Sequence, residues 1–135
     1  MGSRLYIGTR NSGALIELPD RPFNALLDFA YEQGEIDGID YLERLKPFRS
    51  PIRGPFFEGD TFDEWAVAKG YDKNEILASL QLWLDLLERH GKRWEEDSDW
   101  GMVGWTAAEL REMFKDAARI MTEYEGQELL FSWAG

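Results

Sequence analysis

The chain has 135 residues, 44% of them hydrophobic and 14% aromatic, with 26 acidic side chains against 15 basic ones and a formal charge of −11. That length and aromatic content suit one packed core, so a single globular domain spanning 1–135 is expected. The charge repels phosphate backbones and anionic lipid, which argues against direct binding of nucleic acid or membranes, and the lack of cysteine excludes disulfides, thiolate nucleophiles and Cys-ligated metals.

Arg4 to Thr9 and Ala14 to Leu18 are β-prone runs around Arg10-Asn11-Ser12-Gly13, which predicts a hairpin. Asp20 is the expected cap of a first helix that carries Phe23, Leu26, Leu27, Ala30 and Tyr31 on its apolar stripe and stops at Gly34. A short helical turn is expected within Ile36 to Leu45. Lys46 to Gly59 then reads as a long loop, because Pro47, Pro51 and Pro55 each remove a backbone donor.

Three capping-box patterns follow. Thr61 with Glu64 predicts a short helix ended by Gly70. Asp72 with Glu75 predicts a long one with Ile76, Leu77, Leu80, Trp83, Leu84 and Leu87 facing the core, closing at Gly91. Thr106 with Glu109 predicts a last one carrying Leu110, Met113, Phe114, Ala117, Met121 and Tyr124, stopped by Gly126. Leu129 to Trp133 reads as a strand, and because an isolated hairpin is marginal in water it is expected to join the N-terminal one. The expected fold class is therefore α+β: a small three-stranded, mostly antiparallel sheet, made of the N-terminal hairpin and the C-terminal strand, packed against three to four helices.

The apolar run Leu82 to Leu87 is interrupted by Asp85, and neither a signal peptide nor a membrane span is found, so the expected compartment is the cytoplasm. The charge is uneven: residues 1–57 hold 8 acids and 7 bases, whereas 58–135 hold 18 and 8. The densest cluster is Trp94-Glu95-Glu96-Asp97-Ser98-Asp99-Trp100. Its alternating acids resemble calcium-loop spacing, but the glycine is displaced to Gly101 and Thr106 stands where a bidentate carboxylate is required, so no metal or other cofactor is expected. Thr61 to Leu80 carries a faint helix-turn-helix spacing, weakened by Ser79 at an apolar position and by an acidic helix start.

His90 is the only histidine, and its place at an expected helix C-terminus, where the dipole favours a cation, accounts for it without catalysis. No catalytic residues are assigned. The chemistry expected is recognition of a protein with a basic, nucleic-acid-processing surface, by Trp94, Glu95, Glu96, Asp97, Asp99 and Trp100, with Trp105 also read as an exposed aromatic. Aromatic anchors within a complementary charged field are what tight interfaces use. Arg44, Lys46, Arg49, Arg53, Phe56 and Phe57, in the one basic stretch, form a secondary contact. In physical type this is like small acidic inhibitors such as toxin-immunity, antirestriction and anti-CRISPR proteins, although no family motif is present. The alternatives are a carboxylate-dependent hydrolase or sugar-binding module using Asp63, Glu64 or the 95–99 cluster, and a structural or adaptor subunit of a phage or cellular assembly.

Overall fold

The computed structural model of the chain describes residues 4–9, 13–19, 21–48, 69–96, 104–126 and 128–134. Strands β1 (Arg4–Thr9) and β2 (Gly13–Pro19) form an antiparallel hairpin, with an irregularity in register between Ile7 and Gly8. Alternation sets the inner face of β2: Ile16 and Leu18 are buried while Glu17 between them is exposed. The last strand, β4 (Glu128–Ala134), lies antiparallel to β1, with Leu5 opposite Trp133 and Ile7 opposite Phe131.

The expected fold class needs correction. The sheet has four strands, not three, in the order β2-β1-β4-β3, and helices dominate, with runs of 15, 24 and 17 residues against strands of at most 7. The added strand is β3 (Lys69–Asp72), which contains the Gly70 expected to end a helix. Pairing with β4, Lys69 opposite Phe131 and Tyr71 opposite Leu129, gives these backbone groups partners that lie some sixty residues away in the chain. A strand at 69–72 also removes the helix-turn-helix reading; residues 61–68 lie outside the described residues.

Helix α1 (Phe23–Asp37) is capped at Pro22, whose carbonyl accepts from Leu26 N at 2.8 Å, while Asp20 lies outside the described residues. It runs through Gly34 and ends at Gly38, the residue with left-handed backbone (φ 72°). Gly38 N and Ile39 N both donate to Gly34 O, at 2.8 and 3.1 Å, and this turn brings the Ile39 carbonyl against the place that a Gly34 Cβ would take. Gly34 is thus a packing position rather than a stop. A 3-10 turn follows at Leu42–Leu45 and passes into helical Lys46 to Phe48; the remainder of the expected loop, 49–59, lies outside the described residues.

Helix α2 (Lys73–Glu96) buries Ile76, Leu80, Trp83 and Leu87 at alternating spacings of four and three, whereas Leu77 and Leu84 are only half-buried. It bends at His90 (φ −124°, ψ 18°) and continues past Gly91, where an added Cβ would stand 3.1 Å from that of Ala107. Helix α3 (Ala107–Glu123) opens on the expected capping box: Thr106 Oγ1 accepts from Glu109 N at 3.1 Å, and Glu109 Oε1 from Thr106 N at 3.0 Å. The helix ends at Glu123, ahead of Gly126.

Four rings tie these pieces together. Phe23 stacks on Phe48 at 5.4 Å and Trp83 on Phe114 at 5.7 Å, and the two stacks meet edge to face at 5.9 to 6.3 Å. Ser79, buried beside them on α2, donates towards the carbonyls of Glu75 (3.0 Å) and Arg44 (3.1 Å), which fastens the 3-10 turn to the helix.

Candidate functional site

The end of α1 and the 3-10 turn enclose an open cleft of about 490 Å³, lined by Tyr31, Gly34, Glu35, Gly38, Ile39, Asp40, Tyr41 and Leu42. Three large apolar side chains stay exposed among the described residues: Tyr31 at 55% and Ile39 at 44%, which line the cleft, and Ile36 at 57%, which does not. Tyr31 was expected on the core stripe. It sits at the stripe's edge, and its phenol donates to Glu35 one turn on; that hydrogen bond, aided by the charge of Glu35, holds the phenol pKa above its ordinary value. Ile36 follows buried Phe29 by seven residues, on the same side of the helix, yet stays exposed near the helix end.

Behind the cleft, α1 meets α2 through a polar cluster. Buried Tyr41 donates from its hydroxyl to Asp37 Oδ2 at 2.6 Å, Arg89 Nη2 lies 3.5 Å from that hydroxyl, and His90 Nε2 lies 3.6 Å from the same carboxylate oxygen. The Tyr41 hydrogen bond, aided by the fields of His90 and Arg89, holds the Asp37 carboxyl below the usual carboxylate range against an opposing desolvation. The carboxylate in turn raises the Tyr41 phenol. His90 therefore sits at a helix bend facing Asp37, not at a helix end.

Charges on the helices are disposed differently. On α3, Lys115 reaches Glu112 and Arg119 reaches Asp116, and on α2 Lys92 reaches Glu96. The segment of α1 has four acids and no base. Arg93 crosses to Glu32 at 3.9 Å and His90 to Asp37, but no base among the described residues pairs with Glu35 or Asp40. Asp40 Oδ1 accepts only a long bond from Glu43 N, 3.3 Å.

Of the residues expected to bind a partner, Trp94, Glu95, Glu96, Arg44 and Lys46 are described, and none of them lines the cleft. Trp94 is fully buried: it meets Phe29 edge to face at 5.4 Å, and its Nε1 donates to Trp105 O at 2.8 Å. It is a core residue because α2 runs on beyond Gly91, and Trp105 is half-buried beside it. Glu95 is exposed, but its Oε1 accepts from Ala107 N at 3.1 Å, serving the first turn of α3; Glu96 pairs with Lys92. Asp97, Asp99 and Trp100 lie outside the described residues. In the basic stretch, Arg44 and Lys46 are exposed, the latter 2.6 Å from Glu43, while Phe48 is buried in the ring cluster. Arg49, Arg53, Phe56 and Phe57, with Asp63 and Glu64, lie outside the described residues.

The cleft was missed because its chemistry is spread over a helix end and a turn. The signal present in the sequence was a helical segment holding four acids without a base. Among the described residues no helix is long and apolar enough to cross a membrane, and no three His, Asp or Glu side chains are grouped to hold a metal ion. No family model matches the chain, and neither the curated proteins nor the solved structures contain a significant match to it.

Proposed function

We propose that this chain is an acidic protein-binding module, an inhibitor that occupies the basic nucleic-acid-binding surface of a nuclease or another DNA- or RNA-handling complex. One observation carries the reading. The exposed large apolar side chains of the described residues, Tyr31, Ile36 and Ile39, gather within nine positions, on a segment whose charges are acidic. Apolar groups ringed by charge of one sign are the composition of an interface meant for an oppositely charged partner. The net charge of −11 supplies steering towards such a partner and keeps the chain from phosphate itself.

The test is capture of partners from native lysate at low salt and at about 0.5 M salt, where exposed charges are screened within a few ångströms, followed by reconstitution with the purified partner. The expected partner is basic, binds nucleic acid, and releases it when this chain is added. Binding that ignores salt and leaves the partner's nucleic acid in place would refute the reading.

A further inference from the structure

The cleft at the end of α1 combines features that a single cationic side chain satisfies together. Tyr31 and Tyr41 supply aromatic wall, and Glu35 and Asp40 supply carboxylates that no base of the described residues engages. The cleft also lies over the carboxyl end of a fifteen-residue helix whose last turn has no basic residue, so the negative end of its dipole meets no cation within the helix. Arg89 and His90 of α2 face Tyr41 and Asp37. The exposed Ile39 in the cleft wall would cover an apolar neighbour of an inserted group.

A volume near 490 Å³ falls within the range of clefts that take small ligands. Arginine suits the site better than lysine: its planar guanidinium stacks on an aromatic ring and offers five fixed donors to carboxylates, whereas an ammonium is a compact, strongly hydrated point charge. Arginine anchored in a pocket and ringed by apolar contacts is also a common form of interface hot spot. We propose that this cleft receives an arginine side chain of a protein partner, with Glu35 and Asp40 accepting from the guanidinium, Tyr31 packed beside it, and Ile39 covered by the residues that flank it. The proposal rests on the protein-binding reading and names its surface and its anchor.

The experiment is an amide-resolved NMR titration of the whole chain with N-acetyl-arginine methylamide, beside the citrulline analogue, which keeps the shape and lacks the charge. Shifts confined to residues 31–42 with the arginine probe, and weakened about tenfold in Glu35→Gln/Asp40→Asn, are expected. A similar response to citrulline, shifts spread equally over the acids of α2 and α3, or a double variant that binds as the parent does would each overturn the proposal. So would shifts at these residues that follow protein concentration alone, since the face would then close on a second copy of the chain. Should the double variant fail to fold, Tyr31→Ala is read by the same criteria. The outcomes separate the two readings. If the probe fails while a basic partner is still captured, and capture survives the double variant, the cleft falls and the protein-binding reading stands. If the probe binds but no partner does, the reverse holds.

Discussion

Tyr41 shows how one buried hydroxyl organises the residues around it. Its bond to Asp37 favours the carboxylate, so Asp37 has a depressed pKa in the folded chain. A depressed carboxyl contributes stability that is complete above its unfolded value, roughly 3.9, and fades as pH falls through the folded one. Tyr41→Phe removes the largest cause of that depression. The stability gap between parent and variant, from urea melts, is therefore expected to be widest near neutral pH and to narrow below about pH 4; a gap unchanged with pH would mean that Asp37 is not the acceptor. Residue identity alone did not reveal this group, because Asp37 and Tyr41 meet His90 and Arg89 only through packing of α1 on α2. Gly34 and Gly91 teach the same lesson. Each reads as a helix stop in sequence, yet each lies inside a helix where another group approaches, the Ile39 carbonyl in one case and Ala107 in the other. The stop is Gly38, identified by its positive φ.

At the level of elements, what was legible is what local bonding decides. The Thr106–Glu109 box lies within four residues, and it is present as expected; the strand bounds near 4–9 and 129–133 follow from β-prone runs. Strand β3 could not be read, because Lys69 to Asp72 are held in it by residues 128–131. The buried position of Trp94 was likewise hidden by the expected end of α2 at Gly91. Its consequence is that the acidic cluster cannot be treated as one unit: Glu95 serves the first turn of α3 alongside Thr106. Glu95→Ala is expected to destabilise the chain by about 0.5–1.5 kcal/mol and Thr106→Ala by about 0.5–2 kcal/mol, measured by denaturant melts. Replacing Glu95, Glu96, Asp97 and Asp99 together by alanine is expected to lower the melting temperature. A melting temperature that stays put would show that Glu95 does not cap α3 in solution.

Across the whole molecule, the order β2-β1-β4-β3 gives the last strand two neighbours, β1 and β3, both much earlier in the chain. Such long-range pairing places refolding in the slower range, milliseconds to seconds rather than microseconds. Stopped-flow refolding followed by tryptophan fluorescence tests this, and a single phase complete in microseconds would contradict the topology. The same topology has a consequence for synthesis. A chain made from its N-terminus first can close the β1–β2 hairpin and begin its helices, but it holds β1 and β3 with unpaired edges until Glu128–Ala134 has been added. A product lacking Glu128–Ala134 would thus leave β1 and β3 each without the neighbour that β4 supplies, unpaired edges that chaperones and proteases recognise as unfinished.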